Sequence, residues 1–297
     1  MSSASSRIEE PLARCHRNYV ESLWQYVRSM PGAERRDRAG GVLVRCHVPV
    51  GLANTVFILD PSVSLDAVLA DSSEFFGPRL PWRVIFPGPA PERFGGLAER
   101  FGLETAPNEP GMVLDPIAPA PAGPSGFTTR SVTDRATLSD FGAVWCEAFE
   151  LPAWTLPVVL PRVPPDDPER QAQNRFFVGY ERGRPVSCST LTVTERVAGI
   201  ASVGTVPKAR GRGFGSAITW AAIESGAALG ADIAYLSASR LGYPVYDRMG
   251  FRRASEYPSW QIPLGFLRLL RAVRTLRRLV REAGSAGPAS SGVTLNL

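Results

Sequence analysis

The residues best suited to chemistry lie in the segment SVGTVPKARGRGFGSA, positions 202–217. Gly211, Gly213 and Gly215 alternate with Arg212 and Phe214, and Lys208 and Arg210 stand just before them. Glycine admits φ > 0 and lets backbone N–H groups come close to a bulky anion. A helix starting beyond the turn adds unpaired N–H groups and the positive end of its dipole. Arginine and lysine add full charges. Together these suit a pyrophosphate. Two familiar phosphate turns do not fit. The P-loop requires Gly-Lys before Ser/Thr, and no lysine precedes Ser216. The dinucleotide fingerprint has a different glycine spacing and follows a first βαβ unit, whereas this turn follows three strands that read as antiparallel.

The elements that must position this turn begin near Phe127. Helical patterning covers Thr133–Phe149, and a loop with six prolines runs over Leu151–Pro168. Strands are predicted at Arg175–Tyr180, Pro185–Thr194 and Val197–Val206. A helix over Ser216–Leu229, a buried strand at Ile233–Ser237, a helix ending at Val245–Met249 and a strand near Trp260 follow. The pattern is an α/β (α+β) mixed sheet with an anion-binding turn after its last long strand.

The spacing Arg210-x-x-Gly213-x-Gly215 resembles the Gln/Arg-x-x-Gly-x-Gly/Ala loop of the GCN5-related N-acetyltransferase (GNAT) family. Thr205-Val206-Pro207 before it and Ser216-Ala217 after it also fit. Tyr246-Asp-Arg-Met-Gly-Phe251 is similar to that family's Tyr-x-x-x-Gly-Phe block, in the right order and at the right distance. The resemblance spans about Phe127 to Ile262. It implies acetyl-CoA as co-substrate and no metal. The strand before the loop should be splayed by a bulge, so that Thr205 and Val206 pair with the pantetheine arm. The Val206 N–H should face the thioester carbonyl as an oxyanion contact. The turn Arg210, Gly211, Arg212, Gly213, Phe214, Gly215 and Ser216 should hold the pyrophosphate. Tyr246 is the general acid the resemblance implies for the leaving thiolate. Where many members carry Asn, seven residues before the Tyr, this chain has Ser239, a shorter group toward the cofactor arm. No histidine is available as a base. Glu147 and Glu150 lie near the expected acceptor side, Glu195 lies in a remote hairpin, and Glu150 is the expected base. A water chain through Ser202 is the other route.

The first half echoes the second. Ala98-Glu-Arg-Phe-Gly-Leu103 aligns with Tyr246–Phe251, and each block leads into a short strand, ending at Leu114 or Ile262. Ala98 replaces the Tyr, and no Arg-x-x-Gly-x-Gly turn precedes the helix predicted at Leu65. The expected organisation is a degenerate GNAT-like domain at 1–125 and a GNAT domain at 126–262. The first closes on a Pro/Gly-rich linker, Glu109–Gly126. A basic helix and flexible tail follow at 263–297. In the first half, Arg7–Met30 and Pro91–Phe101 read as helices. Gly41–Val48, Asn54–Leu59 and Trp82–Phe86 read as strands. Trp82, Trp145, Phe149 and Trp154 are candidate acceptor-pocket aromatics.

Composition narrows the remainder. Of 297 residues, 44% are hydrophobic and 21% charged, so a packed core is affordable and a disordered chain is excluded. The net charge is +5. Six arginines and one acid in Pro263–Leu297 account for all of it, so a nucleic-acid-binding body is not expected. Phe266, Leu269, Leu270, Val273, Leu276 and Val280 recur at helical spacing opposite Arg271, Arg274, Arg278 and Arg281. That helix either docks on the body or meets a membrane or acidic partner over 264–282. The four cysteines show no metal or disulfide spacing, and only two histidines, His16 and His47, are present. The start is polar and no apolar run approaches the ~20 residues of a membrane span, so a cytoplasmic location is expected. The predicted function is acetyl transfer to the amine of a small molecule or a protein amino group. The alternative is a non-catalytic acyl-CoA-binding regulator. The oligomeric state is open.

Overall fold

A computed structural model describes residues 5–160, 174–263 and 266–285. The end of the proline-rich loop, 161–173, and the Gly/Ala/Ser tail beyond 285 lie outside the described residues. The chain opens with α1 (Ser5–Val27), β1 (Glu34–Arg38), β2 (Gly41–Arg45) and β3 (Thr55–Ile58). There follow α2 (Leu65–Phe76), β4 (Arg83–Ile85), α3 (Phe94–Arg100), β5 (Glu104–Ala106) and β6 (Gly111–Leu114). The second half holds β7 (Phe127–Ser131), α4 (Arg135–Ala148), α5 (Leu156–Val159), β8 (Asn174–Glu181), β9 (Arg184–Thr194) and β10 (Val197–Thr205). It continues with α6 (Phe214–Ala228), β11 (Ile233–Ser237), α7 (Tyr243–Arg248), β12 (Arg252–Ser255), β13 (Ser259–Gln261) and α8 (Phe266–Ser285).

Two mixed sheets result, ordered β1-β2-β3-β4-β13-β5 and β7-β8-β9-β10-β11-β6-β12. They repeat one design. In each, antiparallel pairings (two in the first sheet, three in the second) lead to one parallel pairing, β3 with β4 or β10 with β11, and two antiparallel strands complete the edge. The halves exchange a strand. β6, from the end of the first half, lies between β11 and β12, and β13, from the end of the second, lies between β4 and β5. Neither sheet therefore stays on one side of a boundary at 125/126. The predicted linker is correspondingly shorter, because Gly111–Leu114 is a central strand with Met112 fully buried. Packing accounts for the exchange. Trp260 of β13 sits against Phe94 and Phe86 in the first core, with ring centroids at 4.6 and 5.8 Å. Met112 and Leu114 of β6 join Ile200, Ile218 and Phe251 in the second.

The long helices and strands form over the segments where the sequence predicts them. Three short strands do not announce themselves: β1 reads ERRDR, β5 ETA and β12 RRAS. All three are sheet edges, where charge is favoured because it blocks further pairing.

Two helices tie the molecule together. α1 lies over β9 and β10, and its Asn18 Nδ2 approaches the carbonyls of Thr192 and Val197 at 3.0 and 3.1 Å and Thr194 Oγ1 at 2.9 Å. Gly199 leaves room for Asn18, since a Cβ there would stand 1.9 Å from its Oδ1. Arg14 pairs with Asp232 and Arg17 with Glu195. α8 docks by its apolar side. Ala272 and Leu279 are buried, and Leu276, Leu279 and Val280 belong to the cluster containing Val158 and Trp145, while Arg274, Arg277, Arg278 and Arg281 face solvent.

Candidate active site

The site is built where β10 and β11 part. They pair only over Val197–Gly199 and Ile233–Tyr235. Beyond that, β10 pairs with β9 alone, and its register jumps between Ala201 and Gly204. Ser202 sits in this bulge at φ 51°. A bulge bends its strand, and here it opens a gap between two parallel neighbours. The backbone direction in this gap corrects the predicted oxyanion contact. The Val206 N–H donates to the Val186 carbonyl at 3.0 Å, on the β9 side. Backbone groups alternate along a strand, so Thr205, not Val206, turns its own toward the gap.

The turn after β10 has left-handed glycines and leads straight into a helix, as its sequence implies. Gly211 and Gly213 adopt φ 75° and 83°, and Gly213 is the left-handed residue that starts α6. The Arg210 N–H donates to the Pro207 carbonyl at 3.3 Å, and the next amide with a backbone acceptor is that of Ala217, which donates to Gly213 at 3.0 Å. Among the described residues, the N–H groups of Gly211 through Ser216 have none. The side chains do less than expected. Arg210 spends its guanidinium on the carbonyls of Thr205 and Ala148, both at 3.0 Å, pinning the turn to β10 and to the C-terminus of α4. Arg212 forms a forked pair with Glu181 and lies over the Phe214 ring. The burial cost is small there, and the Arg212 hydrogen bond holds the Glu181 carboxyl below its ordinary range. Phe214 is buried and stacked on Phe127 at 5.1 Å, so it anchors the turn instead of meeting a ligand. Gly215 lets Thr205 Oγ1 approach, at 3.4 Å from where a Cβ would stand.

A groove of about 960 Å³ runs from this turn along α6, lined by Pro121, Pro124, Gly213, Ser216, Trp220 and Arg248 among others. The linker residues Pro121–Pro124 form one wall, which proline content alone did not reveal.

Tyr246 is buried in the α6-side core beside Phe251. Burial pushes its phenol well up, so it stays protonated at neutral pH, and its hydroxyl has no partner among the described residues. Ser239 turns inward to the chain: its hydroxyl accepts the Gly242 N–H at 3.2 Å and holds the entry to α7. Glu150 is exposed with φ 55°, at the left-handed end of α4 where Leu151 N–H returns to the Cys146 carbonyl at 2.9 Å. Its carboxylate has no partner among the described residues. Glu147 is also exposed. Glu195 is bound to Arg17, away from the gap. Of the aromatics, Trp82 is buried and stacked on Phe76 in the first core. Phe149 is 44% exposed, and its ring lies against Gly204. Among the described residues, no group of three His, Cys, Asp or Glu is placed to hold a metal ion, and no helix is long and apolar enough to cross a membrane.

Residues 145–251, which include the bulged strand, the anion turn and Tyr246, match the model of the Acetyltransferase (GNAT) family. This stretch of the chain is thus similar to a GNAT domain. Solved structures agree on the fold. A GCN5-related N-acetyltransferase from Kribbella flavida superposes with a TM-score of 0.65 at 20% identity, over 86% of this chain and 96% of that one. One from Sphaerobacter thermophilus gives 0.54 at 18%, over 75% and 80%. A tandem GNAT protein from the clavulanic acid biosynthesis pathway gives 0.50 at 13%, over 89% and 96%. No curated protein matches the sequence.

The tandem reading is visible in hydrogen bonds. Phe101, Gly102 and Leu103 N–H donate to Ala98, Glu99 and Ala98, and Met249, Gly250 and Phe251 N–H donate to Tyr246, Asp247 and Tyr246. Ala98 thus occupies the GNAT tyrosine's place. Between β3 and α2 the first half has Leu59–Ser64, without glycine, and Ser64 Oγ itself caps the Ala67 N–H. The first half keeps the fold and lacks the anion turn.

Proposed function

We propose that this chain moves an acetyl group from acetyl-CoA to an amine by direct attack. The observation that carries this reading is the unpaired run of N–H groups from Gly211 to Ser216 beside a gap whose β10 side offers the backbone of Thr205. That donor set suits a pyrophosphate with an extended arm attached. In this reading, Thr205 pairs with the arm. Tyr246 gives its proton to the departing sulfur. Arg210 holds the turn in shape, and Arg212 can reach the phosphates by leaving Glu181. The acceptor is a small-molecule amine or a protein amino group.

Calorimetry with acetyl-CoA tests the reading, comparing wild type with Gly213→Glu, which places a strained, negatively charged side chain in the turn. Binding in the wild type and its loss in the variant are expected. A primary-amine panel read by thiol release then tests transfer, with Tyr246→Phe as the chemical control. No binding by the wild type would overturn the proposal.

A further inference from the structure

The two faces of the gap differ. Tyr246 belongs with Ile200 and Leu236 on the α6 side. Tyr235 belongs with Tyr19 on the α1 side, at a ring distance of 6.3 Å. Side chains alternate along a strand, so Ser237 shares Tyr235's face. Ala201 shares that of Gly199, which meets Asn18 and Ser22 of α1. Helix α1 covers the sheet as far as Gly199, and Ala201 beyond it is exposed. The mouth of the gap is therefore open on the α1 face, opposite the tyrosine.

At this mouth stands a carboxylate that comes from the first half of the chain. Glu109 Oε2 accepts a hydrogen bond from Ser237 Oγ at 3.1 Å. Its Oε1 has no partner among the described residues, and the side chain is solvent-accessible. The surrounding backbone is fixed. Pro110 O accepts the Ala238 N–H at 2.9 Å, Asn108 Oδ1 accepts the Tyr257 N–H at 3.0 Å, and Asn108 Nδ2 donates to Glu256. From α1, Tyr19 has its phenol pushed up by burial, with Arg83 of β4 acting against that shift and Glu109 adding to it. The charged and titratable groups around Glu109 are thus Tyr19 of α1, Arg83 of β4 and, held off by Asn108, Glu256.

We propose that Glu109 anchors the ammonium of the acceptor at the open mouth of the gap and takes its proton. This rests on the acetyl-transfer reading and extends it. The ammonium gives one proton to the Glu109 carboxylate. The freed nitrogen lone pair forms the C–N bond with the thioester carbon as the C–S bond breaks. The sulfur receives the Tyr246 proton, and Tyr246 regains one from the new amide nitrogen through water. Glu109 returns its proton to solvent. The first half, without an anion turn of its own, then supplies the acceptor side of the site through the strand it lends to the second sheet.

The test uses the full chain and two simple probes, n-butylammonium and 2-phenylethylammonium, titrated by saturation-transfer NMR at saturating CoA. The wild type should bind at least one. Glu109→Gln keeps an oxygen for Ser237 but no charge, and should weaken that binding at least tenfold. Acetyl-CoA affinity and melting temperature should not change. Ser237→Ala, which leaves the charge unoriented, should weaken binding several-fold. Failure of both probes to bind wild type would overturn the proposal, as would wild-type affinity in Glu109→Gln or a loss that appears in Glu150→Gln instead. Absence of acetyl-CoA binding with the ammonium results intact would remove the transfer reading and leave the anchor standing.

Discussion

Alanine substitutions at Gly211, Gly213 and Gly215 separate backbone strain from contact within one turn. At Gly213 a side chain must sit at φ 83° and its Cβ would come 3.3 Å from Pro124 Cγ. Left-handed backbone costs an L-residue ~1–2 kcal/mol, and the tight contact adds to this. At ~2–4 °C per kcal/mol for a chain of this size class, the melting temperature should fall by roughly 2–8 °C. If the turn instead rotates to relieve the strain, its N–H groups diverge. One lost hydrogen bond to a charged ligand is worth ~1.5–3 kcal/mol, so acetyl-CoA should bind about 10- to 100-fold more weakly. Gly211→Ala carries similar strain at φ 75° with nothing within 4 Å. It should lose stability without the contact penalty. Gly215 has ordinary helical backbone, and its Cβ would meet Thr205 at van der Waals distance. Its alanine variant should melt at or above wild type, since alanine favours the helix over glycine by about 1 kcal/mol. Scanning calorimetry and acetyl-CoA titration read both effects. Wild-type melting and affinity in Gly213→Ala, or equal damage at Gly215, would refute the reasoning.

Tyr246→Phe should leave acetyl-CoA binding near wild type and lower kcat about 100-fold, the usual lower range for losing a positioned acid; thiol-release kinetics check it. Asn18→Ala strips hydrogen bonds from the buried carbonyls of Thr192 and Val197 and should cost ~2–4 kcal/mol in urea unfolding. His16 has its pKa lowered to about 4, by burial first and then by Arg17. The unfolded chain takes up this proton below ~6.5 and the folded chain does not. Stability is therefore full above that pH and should fall as pH drops toward 4, by roughly 3 kcal/mol at most. His16→Phe should flatten the urea midpoint across that window. Residues 1–125 and 126–297 expressed separately should each fail to melt cooperatively, and mixing them should restore a transition, because each sheet needs a strand from the other piece.

Much of the site was legible in the residues. Arg210-x-x-Gly213-x-Gly215 and Tyr246–Phe251 are local signals, and local backbone chemistry follows from local sequence. Glycine at 211 and 213 permits the left-handed turn, and the helix after it leaves its first amides unpaired. The echo at Ala98–Leu103 was legible for the same reason, because its three hydrogen bonds span only six residues. What each side chain then does was less legible. Nothing near Arg210 in sequence says that its guanidinium will hold Ala148, or near Arg212 that Glu181 will neutralise it. Val206 was misassigned because a one-residue bulge decides which way each N–H points, and a bulge leaves no mark in composition.

By itself, the sequence determined the order of the elements, the anion turn and the tyrosine, all set by residues within a few positions of each other. Only the tertiary structure decided the exchange of β6 and β13, the gap between β10 and β11, and the meeting of Glu109 with Ser237 across 128 positions. These depend on which strand finds which edge. That choice is made by burial of Met112 in one core and packing of Trp260 in the other, energies that exist only once both sheets are assembled.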